Sequence, residues 1–193
     1  MGKTITKEEI HDLPVEEFTG QIVVVQTVED AELAVNVLLQ STRIGFDTET
    51  RPSFCKGILK RVALIQLSTH EICFLFRLNY IGFPPSLIGL LSNPDVQKIG
   101  LSLRDDFQSM GRRMKFQPQG FIDLQQMVQN FDIEELSLQK IYAILYRKKI
   151  SKSQRLSNWE AEQLTLSQQK YAALDAWACL KIYEDLCLTK KSI

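Results

Sequence analysis

Strand-like runs crowd the first half of the chain and helical periodicity takes over the second. Gln21–Gln26 (QIVVVQ), Arg43–Thr50 (RIGFDTET), Arg61–Ser68 (RVALIQLS) and Ile72–Phe76 (ICFLF) are rich in β-branched and aromatic residues and read as strands. The short polar link Thr69–Glu71 fits a hairpin between the last two. Thr27 can cap a helix that carries Glu29 and Asp30 at its positive end and Ala34, Val35, Val37, Leu38 and Leu39 inside. Pro84 and Pro85 open a short helix that runs through Leu91. Gln97–Leu101 is a short buried strand, followed by a helix from Leu103 to Lys115 and a brief extended piece at Phe121–Leu124. Helical spacing then covers Gln125–Phe131, Ser137–Tyr146 and Ser167–Leu188. This order predicts an α/β fold, a mixed sheet flanked by helices on both faces, rather than a bundle or a sandwich. Residues 1–20 are polar and are expected to form a loosely attached N-terminal arm, leaving 21–193 as a single domain.

Charge narrows the possible partners. Lys plus Arg and Asp plus Glu both number 23, so the net charge is zero, whereas a binder that relies on neutralising duplex phosphates is basic overall. Any phosphate contact is therefore local or is made through bound metal ions. Cys55, Cys73, Cys179 and Cys187 show no CxxC spacing, and the two histidines, His11 and His70, complete no zinc set. Four such cysteines suit reduced thiols in a reducing compartment. The N-terminus has no apolar signal core, and no apolar run reaches the roughly 18 residues that a membrane span needs. A cytoplasmic protein with no membrane contact is expected.

Three segments carry chemistry. Side chains alternate along a strand, so Gly45, Asp47 and Glu49 share one face while Ile44, Phe46 and Thr48 share the other. Two carboxylates so close repel each other unless solvated or bridged by a cation, and oxygen ligands alone suit magnesium or manganese. Taken by itself, Asp-x-Glu is equally a solvated strand end. In the helix from Leu103, the apolar stripe is Leu103, Phe107, Met110 and Met114. At about 100° per residue, Asp106 lies on the edge of that stripe and Asp105 nearly opposite it, which selects Asp106 as the acid facing a crevice. In the last helix, Leu174, Ala178, Ile182 and Leu186 mark the buried side, and Tyr171 and Asp175, four apart, fall within it. An aspartate there must be paired, capped or bound to metal.

GFDTET, GLSLRDDF and YAALDA resemble, in order, the three motifs of the Asp-Glu-Asp-Asp superfamily of 3′–5′ exonucleases, in the subclass with tyrosine in the third motif. Ribonuclease D and the Werner-type exonuclease domains belong to it. The similarity spans Gln21 to Leu188, and Ser157-Asn158-Trp159-Glu160 resembles the segment before the third motif in Werner-like members. The resemblance implies a ribonuclease H-like fold, two divalent ions (Mg2+ or Mn2+) and release of 5′-mononucleotides from a single-stranded or 3′-end nucleic acid. It implies that Asp47 ligates both ions, Glu49 binds one and orients the attacking water, Asp106 holds the second partly through water, Asp175 ligates the first, and Tyr171 positions the water. Werner-like motifs favour DNA slightly over RNA.

Substrate contacts are expected from Thr50 beside the acidic pair, Phe107 as a stacking ring, Trp159, and Lys152 and Arg155 in the basic run that begins at Arg147. Core packing is the competing role for Phe107 and Trp159, and a solvated loop for the cations. Two other functions fit the same fold: a nucleic-acid-binding module without turnover, and a metal phosphohydrolase acting on small nucleotides. All five motif positions are filled, which argues against the first of these.

Overall fold

The computed structural model describes residues 2–51 and 61–191; Cys55 lies outside the described residues. In chain order the elements are α1 (Lys7–His11), β1 (Gln21–Val25), α2 (Val28–Leu38), β2 (Arg43–Thr50), β3 (Val62–Ser68), β4 (Ile72–Arg77), α3 (Leu78–Ile81), α4 (Pro85–Leu91), β5 (Gln97–Gly100), α5 (Leu103–Gly111), β6 (Phe121–Asp123), α6 (Leu124–Val128) with a 3-10 turn at Gln129–Phe131, α7 (Leu138–Tyr146) and α8 (Leu166–Lys191). The six strands form one sheet in the order β1-β4-β3-β2-β5-β6. β2, β3 and β4 pair antiparallel, and β1, β5 and β6 join in parallel. The fold is the mixed α/β sheet that the pattern predicts, and β2, which carries the acidic pair, lies between β3 and β5.

Alternation splits the strands between two cores. Ile44, Phe46, Ile65, Leu67, Phe74 and Phe76 face α2, α4 and α5. Leu64, Leu75 and Ile99 face α8, which is covered on its outer side by residues of α6 and α7 such as Leu124, Val128, Ile141 and Tyr142. Because α8 is covered on both sides, burial exceeds the single stripe expected for it: Ala172, Ala173, Leu174, Asp175 and Ala176 are all buried in succession. Three of those five are alanines, which lets backbone approach backbone. Thr165 and Gln168 close the start of α8 as a capping box. The Gln168 backbone N–H donates to Thr165 Oγ1 at 3.2 Å, and the Thr165 N–H donates to Gln168 Oε1 at 3.0 Å.

Two expectations are corrected. α5 ends at Gly111, not Lys115, because Arg112 caps the helix there, and Ser109 rather than Phe107 joins Leu103 and Met110 in full burial. Residues 2–20 are docked, not loose. Thr6 and Glu9 form a capping box on α1, and Ile5, Ile10 and Phe18 are buried. Glu16 accepts from the Tyr142 hydroxyl at 2.7 Å and pairs with Lys148 at 3.1 Å, while Lys3 and Val15 bridge in parallel to Ile133 and Lys149. Among the described residues, no helix is long and apolar enough to cross a membrane.

Candidate active site

A carboxylate cluster forms where β2 passes under α8. Gly45 is the reason the two come so close. A Cβ there would stand 1.9 Å from the Ala176 carbonyl oxygen, so only glycine admits the helix backbone at this point. Ala176 follows Asp175 in the helix, and Asp47 follows Gly45 by one side-chain period in the strand. The close crossing thus delivers both acids to one spot. Ligand oxygens of Asp47, Glu49 and Asp175 lie within 4.8 Å of one another.

Asp106 stands just outside that triplet, at the start of α5. Thr48, on the opposite face of β2 from Asp47, donates its hydroxyl to Asp106 Oδ1. Its neighbour Asp105 is exposed, whereas Asp106 is half-buried. Asp123 sets the position of α5: its two carboxylate oxygens accept the backbone N–H groups of Ser102 and Leu103, each at 3.0 Å. Ser102 itself has φ +63° and makes no side-chain cap, so Asp123 supplies the cap from β6.

Electrostatically the cluster is short of positive charge. Burial pushes the carboxyl groups of Asp47, Glu49, Asp106 and Asp175 well above the ordinary range. Repulsion adds to it: Asp175 acts on Asp47, Asp47 on Asp106, and Asp47, Asp175 and Asp106 on Glu49. Only Tyr171, through a side-chain hydrogen bond, and the charge of Lys152 draw Asp175 back down. Asp175 Oδ1 is buried and has no hydrogen-bond partner among the described residues. A carboxylate oxygen left bare in this way normally has a cation or a water on it. The donor set is oxygen only, which suits a hard divalent ion, so the residues present fit the ions that the motifs imply.

The remaining predicted residues divide. Tyr171 is half-buried beside the acids, where burial first, then the charges of Asp175, Glu49 and Asp47, hold its phenol protonated. Thr50 is half-buried just beyond a register shift between Glu49 and Thr50. Lys152 is exposed, yet close enough for its charge to act on Asp175. Arg155 is exposed. Phe107 is half-buried and stands edge-on to Phe121 with centroids 4.9 Å apart. Trp159, expected either to touch substrate or to pack in the core, is fully buried with its ring 6.0 Å from that of Tyr171. Its segment is held by Arg77, whose guanidinium donates to the carbonyls of Ala161 and Glu162, and by an Arg51–Glu160 pair at 3.3 Å.

Residues that sequence reasoning missed also shape the site. Gln66 pairs with Asp47 across the β2–β3 ladder, is fully buried, and neither of its amide atoms has a partner among the described residues. The signal was present: one amide in the otherwise apolar run Val62–Leu67. Asp123 gave no such signal, since an acid before a helix is expected to cap that helix, not one earlier in the chain.

Comparison with known proteins agrees with this geometry. Residues 22–189 match the family described as 3′-5′ exonuclease. The bifunctional 3′-5′ exonuclease/ATP-dependent helicase WRN of Mus musculus is 33% identical over 186 residues, 91% of this chain but 13% of that protein. A 3′-5′ exonuclease of Arabidopsis thaliana is 31% identical over 151 residues, 74% of this chain and 52% of its own length. The chain thus spans about half, or much less, of these relatives. Among solved structures, the Aedes aegypti Nibbler EXO domain superposes with a TM-score of 0.81 at 23% identity, covering 92% of this chain and 94% of that one. With motif order, fold and family profile in agreement over nearly its whole length, the chain belongs to the 3′–5′ exonuclease family of the Asp-Glu-Asp-Asp superfamily.

Proposed function

We propose that this protein is a metal-dependent exonuclease that hydrolyses phosphodiester bonds from the 3′ end of a single-stranded or frayed nucleic acid and releases 5′-mononucleotides. The observation that carries the reading is the trio of carboxylates within 4.8 Å of one another, with Asp175 Oδ1 buried and without a hydrogen-bond partner among the described residues. In this reading Asp47 would hold both ions, Glu49 one of them, Asp175 the first and Asp106 the second, partly through water. Bound together, two such ions lower the pKa of the attacking water and stabilise the leaving 3′ oxygen in an in-line displacement. Tyr171, held protonated, donates a hydrogen bond that fixes the angle of that water, while Glu49 accepts from it. Thr50 and Phe107 contact the terminal nucleotide. Trp159 supports Tyr171 from below.

The motifs that resemble Werner-type domains favour DNA over RNA. Free thiols at Cys73, Cys179 and Cys187 suit a reducing, cytoplasmic setting. The test uses 5′-labelled single-stranded DNA and RNA with magnesium or manganese. A ladder that shortens from the 3′ end, faster on DNA, is expected. Asp47→Ala is expected to slow it at least about 10³-fold. Binding without any ladder in either metal overturns the reading, and phosphate release from free nucleotides alone replaces it with small-nucleotide hydrolysis.

A further inference from the structure

The docked N-terminal segment lines a hollow surface beside the segment that follows α7. Two hollows of about 320 and 440 Å³ share Lys7, Gln139 and Lys152, so they lie side by side. Five cations line them: Lys7, Lys140, Lys149, Lys152 and Arg155. Among the described residues, no acid lines either hollow. In a chain with equal numbers of acids and bases, this is a local concentration of positive charge.

The cations come from three separate stretches. Lys7 lies on α1, Lys140 on α7, and Lys149, Lys152 and Arg155 on the segment that follows α7. Main-chain hydrogen bonds join the first stretch to the last: Lys149 N–H to the Pro14 carbonyl at 2.8 Å, and Glu16 N–H to the Lys149 carbonyl at 2.9 Å. The Lys149 ammonium also donates to the His11 carbonyl. Some charge is neutralised nearby, since Lys140 pairs with Glu135 at 2.9 Å. The cations still repel one another: after burial, Arg155, Lys7 and Lys140 all act to lower the Lys152 pKa. Such a cluster is relieved by an anion. Lys152 is the junction, because its charge reaches Asp175 as well.

We infer that the groove between α1 and the segment after α7 binds the phosphodiester backbone of the substrate strand upstream of its 3′ end. This rests on the exonuclease reading, and it assigns to residues 2–12 a part in substrate binding. Single strands are held by positively charged grooves that follow the backbone. A ladder of lysines and arginine suits evenly spaced phosphates, whereas a single small anion would use one or two of them.

Binding is measured by fluorescence anisotropy on labelled single-stranded DNA of about 12 nucleotides and on a trimer. The Asp47→Asn background keeps both strands intact. Lys7→Glu places an acid in the first turn of α1, where the helix dipole favours it, so the fold is expected to hold; an unchanged melting temperature verifies this. The expected result is at least a fivefold loss for the long strand and little for the trimer. The slope of log affinity against log salt falls by about 0.7 for the lost contact. Lys7→Arg retains both. Equal losses for the two lengths, or none for either, overturn the inference. So does stronger binding of an oligoglutamate that long strands fail to displace. Failure of the groove would leave strand shortening by the wild type intact, and failure of the exonuclease reading would leave the length-dependent binding intact, so the two are separable.

Discussion

On the α2/α4 side of the sheet, Ile44, Phe46, Ile65 and Leu67 meet Val35, Leu38, Leu87 and Leu90 with no acid among them. On the α8 side the same strands present Asp47, Glu49 and Gln66 to a helix that answers with Asp175 and Tyr171. Residues adjacent in β2 and β3 therefore experience opposite physics. One side gains free energy by excluding water from apolar surface. The other buries acids together, and polar atoms that have no partner among the described residues, an arrangement that costs stability. The difference teaches that the first side supplies the stability that the second draws down.

That division can be broken by substitution. Leu67→Ala, on the apolar side, is expected to cost about 2–5 kcal/mol of stability while the folded enzyme keeps its turnover number and its metal dependence. Urea unfolding and steady-state kinetics together test this. A large fall in turnover number with stability intact would mean that the two sides are not separate. Gly45→Ala strikes the point where the α8 side meets the strand. Its Cβ would overlap the Ala176 carbonyl, so α8 must lift. A loss of about 1–3 kcal/mol is expected, with metal-activated hydrolysis falling more steeply than stability does. Activity retained in full would show that the acids tolerate a displaced helix.

The smallest expected effect concerns protons. Asp47 is raised from 3.8 to about 8 in the metal-free protein, chiefly by burial and then by Asp175. Between those values the folded state binds more protons than the unfolded chain, so stability falls as pH rises. The contribution is fully present below pH 4 and is lost through pH 8. With a chelator present, the melting temperature of the wild type is expected to drop more between pH 5 and 8 than that of Asp47→Asn, in which this group cannot titrate. Magnesium is expected to reverse the trend above pH 7, since binding requires the ionised acids. Equal pH slopes for the two proteins would show that Asp47 carries little of the strain.

Much of this was legible in the sequence because it is local. β2 occupies Arg43–Thr50 as the alternation predicted, and the four-residue step from Tyr171 to Asp175 brings both to one side of α8. The N-terminal segment escaped notice for the opposite reason. Ile5, Ile10 and Phe18 follow neither period, α1 has only five residues, and the segment is held by partners such as Tyr142 and Lys149 more than a hundred residues away. The groove is equally non-local, since its cations come from three stretches. For Trp159 the sequence left both a substrate contact and core packing open, because loop burial rests on distant partners; here Arg77 donates to the Ala161 and Glu162 carbonyls of the same segment. Helix ends were misjudged where a cap outweighed the apolar spacing, as at Arg112.

The contact between Gly45 and Ala176 has one more consequence. It is main chain against main chain, with no side chain between. The offset between the acids of β2 and the acid of α8 is thus a property of two backbones in touch. Repacking elsewhere can alter how firmly the protein folds without changing that offset. A protein built in this way can exchange much of its interior over time while its clustered acids keep their spacing, because the spacer between them contains nothing to substitute except the missing side chain of Gly45.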